Sequence, residues 1–109
     1  MTQPYSPTHP DRAQIDAGAG LVLLDFGTNW CGHCRAAQPL VDQALAARPD
    51  VTHMRVEDGS GRRLGRTFGV TLWPTLVLLR DGTEVARLVR PPDGAAVADA
   101  LAMVAPRVD

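Results

Sequence analysis

The chain has no lysine: all 11 of its basic residues are arginine. That uniformity reads as genomic composition bias rather than function. Neither sign of charge dominates, because 12 acidic residues leave a net charge of −1. Nothing electrostatic therefore points to nucleic acid or to an acidic membrane surface. Long apolar runs are missing too. Runs such as Leu21–Leu24 and Leu76–Leu79 are far too short to cross a bilayer. The opening residues MTQPYSPTHP lack a basic segment followed by an apolar one, so no export signal is read and a cytoplasmic, soluble protein is expected. Repeats and low-complexity tracts are absent.

With 109 residues, 45% of them hydrophobic, the chain suits one globular domain with a real core. Residues 1–10 carry three prolines and no periodic pattern and read as an irregular arm, with a single domain over 11–109. Asp11–Ala17 suits a short helix ended by Gly18 and Gly20. Leu21–Phe26, apolar apart from Asp25, predicts a strand covered on both faces.

After Asn29 the period changes. Cys34, Ala37, Val41, Ala44 and Leu45 recur at three- and four-residue steps, predicting an amphipathic helix from Gly32 to about Arg48, kinked at Pro39. Val51–Val56 reads as a strand and Gly61–Phe68 as a short helix. Its Arg62, Arg63 and Arg66 read most simply as a solvated face. Thr75–Leu79 and Thr83–Val89 flank Asp81-Gly82, a strong hairpin signal. Pro91-Pro92 stops the second strand, and Ala95–Val104 has helical spacing. Strand, helix, strand, helix, strand, strand, helix implies an α/β fold with a mixed central sheet flanked by helices.

The only two cysteines are Cys31 and Cys34, in N-W-C-G-H-C-R. A lone CxxC serves metal knuckles, structural bridges and redox sites alike. Here it follows a buried strand and opens a helix, so Cys31 sits at a helix N-terminus, where free N–H groups and the dipole favour a thiolate. Cys34, one turn in, lies deeper. One exposed nucleophile and one sheltered partner suit a dithiol–disulfide exchanger. Asp25 is expected buried in its strand, where an unpaired carboxylate is costly and its pKa should rise.

These features together resemble the thioredoxin family over about Leu21 to Val104. The resemblance rests on Asp25-Phe26 before the motif, W-C-G-H-C at Trp30–Cys34, Pro39 five residues beyond, and W-P-T at Trp73–Thr75. It implies the thioredoxin fold with an abbreviated N-terminal element, and a thiol–disulfide oxidoreductase without a cofactor. By resemblance, Asp25 helps deprotonate Cys34 through water, and Pro74 is a cis-proline beside the disulfide. The backbone N–H and C=O of Trp73 would then be free to pair with an extended substrate. Trp30 and Trp73 would flank that substrate; Trp73 serves equally as simple cover against Trp30.

His33 and Gly32 lie inside the motif. Histidine there resembles the protein disulfide isomerases, whose couple lies near about −180 mV against about −270 mV for thioredoxin. This chain is expected between them, through stabilisation of the Cys31 thiolate by His33. The chain departs from the family at Gly27, where a tryptophan is usual, at Arg55 in place of a buried lysine, and at Arg90 in place of a glycine. The first and last are expected to alter the docking surface.

Protein disulfides and dithiols are the implied substrates, of a monomer whose electron donor could be a flavin-dependent thioredoxin reductase. The alternatives are a disulfide isomerase or oxidant, a metal site and a non-catalytic interaction module. Zinc wants four ligands, yet no second CxxC or H-x-x-x-H is present, and His9 and His53 read as isolated surface residues. Both motif cysteines are intact, which disfavours the module, and no motif for a peroxide pocket is present.

Overall fold

The computed structural model describes residues 3–104. The ends of the expected arm and of the expected domain, residues 1–2 and 105–109, lie outside them. The elements in chain order are α1 (Arg12–Asp16), β1 (Leu21–Gly27), α2 (Gly32–Ala46), β2 (Val51–Glu57), α3 (Arg63–Thr67), β3 (Thr75–Arg80), β4 (Thr83–Val89) and α4 (Gly94–Ala102). Helix α1 starts where Asp11 accepts from the Gln14 N–H while the Gln14 side chain returns to the Asp11 N–H, a reciprocal cap. Helix α4 starts on Asp93, which accepts from the Ala96 N–H.

The sheet order is β2-β1-β3-β4. β1 pairs β2 in parallel, across the helical crossover, and pairs β3 antiparallel. β3 returns as β4 through Asp81 and Gly82, both at positive φ (48° and 82°), the backbone that a two-residue hairpin needs.

Side chains alternate across the sheet. Leu21, Leu23, Leu76 and Leu78 face Val41 of α2 and Val97 and Leu101 of α4. Leu24, Phe26, Val77 and Leu79 face Ile15, Leu64 and Phe68 on the other side. A sheet buried on both faces explains the continuous apolar runs of β1 and β3. Asp25 shares the face of Leu21 and Leu23, and so does every odd-numbered residue of β2 down to Arg55.

Among the described residues the arm (3–10) has no helix or strand of its own, as its prolines suggest, but these residues are tied down. The Ser6 N–H donates to the Arg55 carbonyl (3.1 Å) and the Glu57 N–H to the Ser6 carbonyl (2.9 Å), making a parallel bridge to the outer edge of β2. Tyr5, beside it, is only 3% exposed.

Candidate active site

Strand β1 delivers Asp25 into the molecule, a short loop turns outward through Trp30, and α2 begins at once. Cys31 is its N-cap, and its sulfur accepts from the Cys34 N–H at 3.3 Å. The helical turn that spaces the two cysteines thereby aims one of its free donors at the first sulfur. Cys34 is 1% exposed and Cys31 9%. Cys31 is the more accessible, as expected, but it is not openly exposed. Tyr5, Cys34 and the partly buried Trp73 pack around it, which spacing along the chain could not convey.

Burial pushes the Cys34 thiol up to about 11, with the hydrogen bond to Cys31 adding to the rise. The backbone of Thr28 and the side chain of Tyr5 pull the other way. Protonated, Cys34 therefore needs a proton acceptor before it can attack anything.

Asp25 supplies an acidic group nearby, and it is not the unpaired carboxylate expected. It is 3% exposed, and three side chains reach it. The Tyr5 hydroxyl donates to Oδ1 at 2.7 Å, Arg55 Nε donates to Oδ2 at 3.3 Å, and His53 Nε2 lies 2.9 Å from Oδ2. Register makes the cluster: Asp25 is level with Arg55 in the parallel pair, and His53 stands two residues back on the same face. His53 is thus no isolated surface residue. It sits on the acid and lines an open cleft with Gln3, Asp42 and Arg55. Arg55 takes the place expected of it beside the acid.

Tyr5 is the residue that the sequence reading missed. The Arg55 guanidinium stacks 3.8 Å from the centre of its ring. Asn29 clamps its backbone, accepting from the Tyr5 N–H at 2.8 Å and donating to the Tyr5 carbonyl at 3.3 Å. Room for the ring comes from Gly27. A Cβ at Gly27 would lie 2.8 Å from Tyr5 Cζ and Oη and 2.5 Å from Cys34 Sγ. The position where the family usually carries a tryptophan is backed from inside by Tyr5. Burial, followed by the charge of Asp25, raises the Tyr5 pKa far above the usual phenol range. Tyr5 is therefore a neutral donor in the resting site.

On the outer side, Trp73–Pro74 is a cis bond. Trp73 meets Trp30 edge-on with ring centroids 5.6 Å apart, and its Nε1 donates to Asp58 Oδ2 at 2.8 Å. Trp30 is 72% exposed. The Trp73 carbonyl, expected to be free, instead accepts from Arg90 Nε at 2.8 Å. Gly32 and His33 are exposed, and His33 has no side-chain hydrogen bond. Among the described residues no group of three or more His, Cys, Asp or Glu side chains is placed to hold a metal ion, and no helix is long and apolar enough to cross a membrane.

The thioredoxin family profile matches residues 10–103. The chain belongs to the thioredoxin family. It is 41% identical to the thioredoxin of Chlamydia pneumoniae over 65% of this chain and 70% of that protein. With the thioredoxin of Chlamydia muridarum it shares 41% identity over 72% and 78% of the two chains. Among solved structures it resembles reduced thioredoxin 2 from Pseudomonas aeruginosa PAO1, with a TM-score of 0.85, 53% identity and coverage of 93% and 94%. The thioredoxin fold and thiol–disulfide exchange through the Cys31/Cys34 pair follow for this chain. Protein disulfides are the substrate class of the family. Tyr5 lies before the matched stretch.

Proposed function

We propose that Cys31 is the attacking sulfur of the exchange and Cys34 the resolving one. The observation that carries this is the Cys34 N–H aimed at the Cys31 sulfur, a donor that a thiolate accepts better than a thiol. Cys31 thiolate attacks a substrate disulfide, forming a mixed disulfide and releasing one substrate sulfur as thiolate. Cys34 loses its proton toward Asp25 and attacks Cys31. The Cys31–Cys34 bond forms as the mixed disulfide breaks, and the second substrate sulfur leaves as thiolate. The protein ends oxidised and the substrate reduced by the same two electrons.

In this reading Trp30, Trp73 and Pro74 form the face that meets the substrate, while Gly32 and His33 tune the couple. The protein works as a cytoplasmic monomer, recharged by a flavin-dependent thioredoxin reductase. His33 favours a second reading, in which the net direction is oxidation or isomerisation, because stabilising the reduced form makes the disulfide a better oxidant.

Alkylation and trapping test the roles. Cys31 should be alkylated first in the reduced protein, and Cys34→Ser should accumulate mixed disulfides while Cys31→Ser should not. Faster modification of Cys34 would reverse the assignment. Equilibration of the couple against glutathione separates the two directions.

A further inference from the structure

The resolving step needs a path for the Cys34 proton, and the Tyr5 side chain meets both ends of it, packing against Cys34 and bonding to Asp25. We propose that the Tyr5 hydroxyl carries this proton directly from Cys34 to Asp25, in place of the water expected there.

The geometry is that of a relay. Tyr5 Oη donates to Asp25 Oδ1 at 2.7 Å, and the Tyr5 side chain packs against Cys34. Both Oη and Sγ close on one point, the position that a Cβ at Gly27 would take, 2.8 Å from Oη and 2.5 Å from Sγ. A hydroxyl is both donor and acceptor, and Tyr5 can accept from the Cys34 thiol while donating to the acid. In the step, the Cys34 S–H bond breaks as a proton moves to Oη, and the Oη proton moves to Oδ1. Asp25 ends as the neutral acid and Tyr5 unchanged. The Cys34 electron pair forms the bond to Cys31, and the substrate thiolate leaves. Re-reduction of the pair runs the relay backwards.

Pre-organisation distinguishes Tyr5 from a core residue that merely happens to be there. Its backbone is clamped by Asn29, its ring is covered by Arg55, and the neighbouring Ser6 is bridged to β2. The charged and titratable groups facing the relay are His53 and Arg55 on the acid and Cys31 on the thiol. None of them lies between Cys34 and Asp25.

This inference rests on the roles proposed for Cys31 and Cys34, and one experiment separates the two. Reduced protein is mixed with a chromogenic aromatic disulfide, and both thiolate releases are followed by stopped flow. The first reports attack by Cys31 and the second reports resolution by Cys34. Tyr5→Phe keeps the ring under Arg55 and should leave the first phase unchanged. The second should slow by about a hundredfold, the lower end of what positioned proton transfer contributes. A second phase that keeps its wild-type rate and pH profile in Tyr5→Phe overturns the relay. Persistence of the second phase in Cys34→Ser would instead sink the underlying roles.

Tyr5 is the only tyrosine, so incorporation of 3-fluorotyrosine alters that hydroxyl alone and guards against misfolding of the phenylalanine variant. The more acidic phenol should change the second-phase rate without changing the melting temperature. An unchanged rate there also counts against the relay.

Discussion

Arg90 holds the carbonyl of Trp73 through a 2.8 Å hydrogen bond from its Nε. It does so from φ +50°, a left-handed backbone that a non-glycine residue adopts at a cost of about 1–2 kcal/mol. An extended substrate pairing with Trp73 must first displace the guanidinium. Arg90→Gly and Arg90→Ala both remove that competitor and should lower KM for a polypeptide disulfide while sparing a small aromatic one. Only glycine also removes the backbone strain, so Arg90→Gly should be more stable than Arg90→Ala by about 1 kcal/mol in denaturant titrations. Equal stabilities would mean that the local backbone relaxes when the arginine is lost.

Trp73 is held on both sides, by Asp58 at its indole N–H and by the edge of Trp30. A ring packed against Cys31 would screen substrates by size. Trp73→Thr should speed reduction of insulin, leave small disulfides nearly unchanged and hardly move the couple's potential. Loss of stability with an unchanged insulin rate would make the indole a cover and nothing more.

His33 is exposed and makes no side-chain hydrogen bond, so its influence on the thiolate has to act through charge or solvent. His33→Pro should make the couple more reducing by some tens of millivolts (roughly 30 mV corresponds to 1.4 kcal/mol). Equilibration with glutathione measures the shift, and a more oxidising variant would contradict the role given to the imidazole.

The buried Cys34 thiol predicts a pH dependence of stability. Its pKa rises from 9.0 to about 11 on folding, chiefly by burial, so the folded protein holds this proton more tightly than the unfolded chain. The stabilisation is complete below about pH 9 and disappears as pH rises through about 11. Tyr5, also raised by burial, loses stability in the same direction. The difference between wild type and Cys34→Ser in reduced urea titrations therefore isolates the thiol. Their stability gap should narrow from pH 9 upward, and a gap that is flat with pH contradicts the burial effect.

Most of the fold could be read from local signals. β4 falls at the residues expected, because Asp81-Gly82 and Pro91 bracket it, and β1 and β3 differ from expectation by one residue at an end. The cysteines and Asp25 were legible because spacing and strand periodicity place them. His53 could have been found too: it lies two residues from Arg55, so any strand that brings Arg55 to Asp25 puts His53 on the same face. Tyr5 gave no such sign. It reaches the site through a prolyl segment without periodicity, and only the hole at Gly27, across more than twenty residues of chain, marks where it belongs. The hold of Arg90 on the Trp73 carbonyl went unread for a similar reason. The direction of a long side chain leaving a turn depends on the tertiary surface around it, not on neighbours in sequence.

The bridge between Ser6 and β2 joins two properties that are usually separable. It occupies the bare edge of an outer strand, where a foreign strand could otherwise add, and it seats the adjacent phenol on the acid. A chain cut back to Asp11 would keep every named helix and strand, yet it would acquire a sticky margin and lose its phenol together. A change to this arm reaches the two cysteines through Tyr5, which packs against both. Protein engineers who treat the arm as a neutral handle would be disturbing the packing around both cysteines.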